Sequence, residues 1–228
     1  MRHPSLLLAT LLALAAPLAA QEYRLVGGIA AGSALNPGAL VEIDQATYAG
    51  TVLGDSIDSG GITGLAVTST GRLYAVVRPF QGSLEADLME LDPITGAILS
   101  QVRILLNGQN VDVADLAIHP GTDVLYTFGN GVLYTVDVTT GAATAVGPPL
   151  AAPFAGLAFR PSGTLYVIFS DTLTPQLLEV DPADASVLSS TAYGTSACTR
   201  LRWIRPAVSC SPRAEGPRAA TSSCRSIR

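Results

Sequence analysis

The sequence predicts an all-β fold, an incomplete β-propeller of about three four-stranded antiparallel blades plus a partial N-terminal blade. Three observations predict it. First, a two-part block recurs: GLAVTSTGRLYAVV from Gly64, DLAIHPGTDVLYTF from Asp115 and GLAFRPSGTLYVIF from Gly156 are followed by LMELDPITGAIL from Leu88, LYTVDVTTGAAT from Leu133 and LLEVDPADASVL from Leu177. Second, Asp44, Asp92, Asp137 and Asp181 lie 48, 45 and 44 residues apart, a blade-length period and too long for leucine-rich or ankyrin units. Third, turn chemistry such as Pro161-Ser162-Gly163 and Asp92-Pro93-Ile94-Thr95-Gly96 separates short β-rich runs, which gives four strands per unit.

Taken in chain order, residues 1–20 carry Arg2 and His3, an apolar run from Leu6 to Ala20, and small residues before Gln21. That pattern is a secretory signal peptide, and its apolar run is too short to span a bilayer. The expected product is secreted or periplasmic, with no transmembrane segment.

Residues 21–57 form the partial blade. Tyr23-Arg24-Leu25-Val26 resembles a second strand, Leu40 to Asp44 a third and Thr51-Val52-Leu53 a fourth, with no first strand before them. Blades follow at 58–106, 107–150 and 151–194. In each, the recurrent aspartate starts a turn because its carboxylate can accept a backbone N–H two residues on, while glycine takes the left-handed position. The Leu-Tyr pairs Leu73-Tyr74, Leu125-Tyr126 and Leu165-Tyr166 fall in second strands, where alternate side chains pack against the two neighbouring blades.

Residues 195–228 break the pattern. They hold all three Cys, the single Trp, and seven Arg against one acid, whereas residues 21–194 hold five Arg against 17 acids. Reading this tail in a shifted frame restores blade grammar. Trp203 is TGG and Ile204 begins AT, so their junction reads GAT, an Asp codon, preceded by Leu, Met or Val. The same shift across Ser223 to Arg228 allows an aliphatic-Asp-Pro sequence like Val180-Asp181-Pro182. The expectation is a frameshift near residue 195 that truncates a longer repeat array and leaves the blades without any Cys.

These blades resemble those of secreted bacterial propellers of the YVTN and NHL-like kind over about residues 23–194. The resemblance implies a radial stack of sheets around a channel, usually six to eight in number. With fewer blades, the outermost apolar faces are left without a neighbour.

Signals for catalysis are sparse. His119 sits in the Ile118-His119-Pro120-Gly121 turn with no second His or Cys in the blades and reads as a turn residue. The one local departure is Asn107 to Asp115, leading into a first strand where Asp115 replaces the glycine found at Gly64 and Gly156. Oxygens at a channel mouth suit calcium, which takes six to eight oxygen ligands. Asn110, Asp112 and Asp115 are therefore candidate calcium ligands, with Asp58 as a further one. No other cofactor is expected. Glu85 and Asp87 read as members of a solvated loop between strands.

The function expected is an exported, non-enzymatic binding or scaffold domain whose ligand is a protein, a glycan or a surface. The alternatives are a calcium-dependent propeller hydrolase or lactonase, and a truncated product without function. Nucleic acid is excluded as a partner by the acidic blades, which repel phosphates.

Overall fold

The computed structural model describes residues 24–33, 35–57, 60–79, 84–150, 155–169 and 175–192. The signal-peptide and frameshift readings, and Asp58, lie outside them. Among the described residues all regular structure is β, in four sheets arranged as blades of an incomplete propeller and paired antiparallel except at one strand pair. No helix among them is long and apolar enough to cross a membrane.

Blade 1 has three strands, β1 (Leu25–Gly28), β2 (Leu40–Ile43) and β3 (Gly50–Leu53), in that order. These correspond to the expected second, third and fourth strands, and the described residues supply no inner strand beside β1. Blade 2 is β4 (Gly60–Val67), β5 (Leu73–Pro79), β6 (Asp87–Leu91) and β7 (Ile98–Arg103). The hairpin β8 (Leu105–Leu106) and β9 (Gln109–Asn110) follows. Blade 3 contains β10 (Asp115–Ile118), β11 (Leu125–Gly129), β12 (Val132–Val136) and β13 (Ala142–Val146). Blade 4 is β14 (Ala155–Phe159), β15 (Leu165–Phe169), β16 (Gln176–Val180) and β17 (Val187–Ala192).

Blade 3 departs from the four-strand expectation. Its sheet has six strands in the order β10-β11-β12-β13-β8-β9, because the β8–β9 hairpin joins the edge of β13, with β8 parallel to it. The cause is Asn107-Gly108, where both residues have positive φ (51° and 78°). Two successive left-handed residues make the tight turn whose twist matches a hairpin, so a segment read from sequence as a loop is a strand pair. It covers an otherwise open sheet edge.

The recurrent turn forms as its chemistry dictates. Asp44 Oδ1 accepts from the Ala46 and Thr47 amides, Asp92 Oδ1 from Ile94 and Thr95, and Asp137 Oδ1 from Thr139 and Thr140, each at 2.6–2.9 Å. Asp181 accepts from Ala183 in the fourth copy. The left-handed residue that closes each turn is Tyr48, Gly96, Gly141 or Ala185.

Glycine at this position has a second purpose. A side chain on Gly96 would collide with the Leu53 carbonyl at the end of β3, and one on Gly141 with the Arg103 carbonyl at the end of β7. Each such turn thus abuts the outer strand of the preceding blade.

Alternation along the strands builds three cores between successive blades. Leu40, Ile62, Leu73, Ala75, Val77, Met89 and Leu91 join blades 1 and 2. Tyr74, Val76 and Leu88 meet Leu116, Leu125, Tyr134 and Val136 between blades 2 and 3. Phe128 and Leu133 meet Leu157, Leu165, Val167 and Leu178 between blades 3 and 4. Tyr74 is fully buried, and its hydroxyl has no hydrogen-bond partner. Because a buried unpaired hydroxyl carries an uncompensated desolvation cost, Tyr74→Phe is expected to raise unfolding stability by up to about 1 kcal/mol. A urea titration checks this, and a loss of stability would mean that the hydroxyl is satisfied in solution.

Candidate functional site

The residue that departs from the repeat lies where the inner strands of three blades come together. Asp115 opens β10, whose neighbours across the blade interfaces are β4 and β14. Its Oδ1 accepts its own strand's Leu116 amide at 2.8 Å, and its Oδ2 accepts the Leu157 amide of blade 4 at 2.9 Å. The Thr127 hydroxyl, fully buried on β11, donates to the Asp115 carbonyl at 2.6 Å.

Space for this carboxylate comes from the glycines at the equivalent positions of the flanking blades. A Cβ on Gly64 would stand 2.5 Å from Asp115 Oδ1, and one on Gly156 would stand 3.6 Å from Oδ2. The Gly, Asp, Gly series along the repeats is therefore a packing solution: one side chain occupies room that two neighbours vacate. Asp115 latches blade 3 to blade 4 through a backbone amide.

The three candidate ligands have different surroundings. Asn110 is exposed on β9, the last strand in its sheet's hydrogen-bonding order, while Asp115 is on the first. Asp112, between them in sequence, pairs with the Arg78 guanidinium of blade 2. Among the described residues no group of three or more His, Cys, Asp or Glu is placed to hold a metal ion. A cation at this locus would have to displace Arg78 from Asp112 and compete with two amides for Asp115.

Other residues singled out in the sequence have structural partners. Glu85 and Asp87 both pair with Arg103, and Asp87, the first residue of β6, also accepts from Gln101, so it belongs to a strand and not to the expected loop. His119 Nδ1 accepts the Gly121 amide at 3.1 Å, and its ring meets the Phe159 ring of blade 4 edge-on at 5.1 Å. It is a turn residue that also ties two blades. Asp123 does the same on the other side, accepting from the Ser69 amide and hydroxyl of blade 2.

Arg78 and Asp123 escaped the sequence reading. Ion pairing across blades leaves no periodic signal, and Asp123 sits in a turn one residue longer than its counterparts.

The electrostatics of these groups oppose one another. Turn amides, led by those of Thr47, Thr95 and Thr140, hold Asp44, Asp92 and Asp137 below the usual carboxylate range. Burial pushes Asp115 up, against the pull of the Leu157 and Leu116 amides. The turn aspartates contribute stability above an ordinary Asp pKa of about 3.9 that is lost as pH falls through their lower folded values. Asp115 contributes most below that ordinary value and less as pH rises through its raised folded one.

Acid should therefore destabilise the protein, with Asp115 partly offsetting the loss. Asp115→Asn is expected to lose more stability than wild type between neutral pH and about pH 3. Urea midpoints at both pH values check this, and equal losses would contradict the assignment.

No protein-family model matches the sequence, and no curated protein compared with it matches. Solved structures do resemble it in fold. A chain of the nidogen/laminin complex superposes with a TM-score of 0.52 at 11% identity, covering 72% of this chain and 62% of that one. Hydrazine synthase from Kuenenia stuttgartiensis gives 0.47 at 14% identity over 68% of this chain and 43% of that one. A protein from Lactobacillus plantarum gives 0.47 at 17% identity over 75% and 53%. This chain thus spans less than two thirds of the length of each of these three.

Proposed function

We propose that this chain is a non-enzymatic binding or scaffold module of the propeller type, exported through its N-terminal segment. The observation that supports it is the commitment of the polar groups at the inner strands. Asp115 is bound by backbone amides and Asp112 by Arg78. Neither presents the free, convergent oxygens that a calcium-dependent hydrolase or lactonase needs to polarise a carbonyl or activate water. Binding to a protein, a glycan or a surface then falls to the loops at the two ends of the blades.

Turnover of aryl esters and lactones by the purified chain in calcium-containing buffer tests this reading. It predicts rates no greater than buffer alone. Calcium-dependent turnover that Asp115→Asn abolishes would contradict it.

The reading extends to the gene. The blades are of the secreted bacterial YVTN and NHL-like kind, and residues 195–228 are the next blade in a shifted frame. Resequencing from the codon of Gly194 past the stop after Arg228 tests it. A single-base change that restores a Leu-Asp-Pro blade is the expected result, and an unaltered frame overturns it.

A further inference from the structure

Asn-Gly occurs twice in the sequence, at Asn107-Gly108 and at Asn130-Gly131. Both pairs form the two-residue loop of a hairpin, with the same left-handed backbone. Asn107 and Gly108 have φ of 51° and 78°, and Asn130 and Gly131 have 51° and 81°. Leu106 pairs with Gln109 across the first loop, and Gly129 with Val132 across the second. Both asparagines are exposed. The dipeptide and the turn are thus the same, and the surroundings differ.

The second loop is built into blade 3. Its strands β11 and β12 are five residues long and lie between β10 and β13. Gly131 is buried, and its carbonyl accepts the Leu150 amide at 2.6 Å. The first loop is held far more lightly. Strands β8 and β9 have two residues each, and β8 meets β13 only through Leu105 with Ala142 and Leu106 with Ala143. Beyond them β9 is the last strand of its sheet, with Gln109 and Asn110 both exposed. Nothing lies within 4 Å of a Cβ built on Gly108. The base of the hairpin is fixed by Ile104 and Val111, which are at most 6% exposed and belong to the core between blades 2 and 3. Residues 105–110 can therefore open while both anchors stay in place, and a local opening of this kind costs much less than global unfolding.

We propose that Asn107 is a site of spontaneous deamidation gated by opening of the β8–β9 hairpin, and that the fold protects Asn130 from the same reaction. The closed turn is unreactive, because a left-handed backbone holds the Gly108 nitrogen away from the Asn107 side-chain amide. Once the turn opens, that nitrogen bonds to Asn107 Cγ, the Cγ–Nδ2 bond breaks, and Nδ2 leaves as ammonia with the Gly108 amide proton. Glycine favours this step, since no side chain crowds the attacking nitrogen or restricts the backbone. Water then opens the cyclic imide, its hydroxyl going to one carbonyl and its proton to the imide nitrogen.

The two products differ in what they do to the hairpin. Addition at Cγ leaves an aspartyl-glycyl pair, which suits the same turn. Addition at the main-chain carbonyl leaves an isoaspartyl linkage, whose extra methylene in the chain path takes Leu106 and Gln109 out of register and uncovers the edge of β13. This modification is independent of the binding role proposed above.

Incubating the full chain at mildly alkaline pH, followed by peptide mapping with electron-transfer fragmentation, tests the assignment. Folded protein should accumulate aspartyl and isoaspartyl product at residue 107 at least about tenfold faster than at residue 130. In denaturing urea the two sites should react at comparable rates, because the unfolded chain offers both pairs alike. Equal rates in the folded protein overturn the proposal, as does an Asn107 that stays intact under conditions in which the unfolded chain reacts. A preference for residue 107 that persists undiminished in urea also overturns it, since the hairpin would then not set the rate. The isoaspartyl fraction should show faster hydrogen exchange at Ala142 and Ala143 than the Asn107→Asp variant, and unchanged exchange would contradict the uncovering of β13.

Discussion

Gly141→Val is expected to lower unfolding stability by at least about 3 kcal/mol, the largest effect of any substitution considered. Two costs combine at this position. Its φ of +74° lies in the left-handed region, which costs an L-residue about 1–2 kcal/mol and a β-branched one at the upper end. The added side chain would also run into the Arg103 carbonyl and carbon at the end of β7. Backbone cannot give way there without separating blade 3 from blade 2, whose shared core includes Tyr74, Val76, Leu116 and Tyr134.

Gly71 provides the control. Its φ is +85°, but nothing lies within 4 Å of a Cβ placed on it. Gly71→Val should therefore show the conformational cost alone, roughly 1–2 kcal/mol. Urea unfolding of both variants separates the terms. Equal losses would mean that the turn of one blade does not press on the strand of the next.

Asp115→Ala is expected to cost about 2–3 kcal/mol, because it strips the acceptors from the Leu116 and Leu157 amides at a partly buried position. It also opens a void beside Gly64 and Gly156, whose lack of side chains suits the aspartate and not an alanine. Asp115→Asn should cost less, since its one carbonyl oxygen can still accept from one of the two amides. Reversing the packing solution is informative too: Gly64→Ala places a methyl 2.5 Å from Asp115 Oδ1 and 2.7 Å from the Leu116 amide. In the Asp115→Ala background that substitution should be better tolerated than in wild type, a coupling that a double-mutant cycle measures.

Much of this architecture was legible in the chain because turn chemistry is local. Asp92 with Thr95 and Gly96 carries in five residues everything the turn requires, and the structure reproduces its hydrogen bonds in copy after copy. The Leu-Tyr pairs likewise implied that alternate side chains face opposite neighbours, as Leu73 does toward blade 1 and Tyr74 toward blade 3. The β8–β9 hairpin was missed although Asn107-Gly108 carried its signal, because flanking strands of two residues are too short for alternation to show.

The candidate site was legible only as a departure. Asp115 in place of glycine marked the locus, but its meaning depended on Gly64 and Gly156 being brought against it from separate blades, and on the Leu157 amide. Those are tertiary facts, and an oxygen-rich segment read as a loop entering a first strand suggested a cation instead. Arg78, 34 residues from Asp112 in sequence, could not be assigned to it without the fold.

Calcium titration followed by thermal unfolding tests most directly whether these carboxylates hold the blades together or hold a metal. A ligand that binds only the folded state must raise its stability, by about 2.7 kcal/mol at a hundredfold excess over its dissociation constant. With Asp112 committed to Arg78 and Asp115 to two amides, the melting temperature is expected to be unchanged at millimolar calcium. A rise of several degrees in wild type that is absent from Asp115→Asn would contradict the latch and restore the metal site.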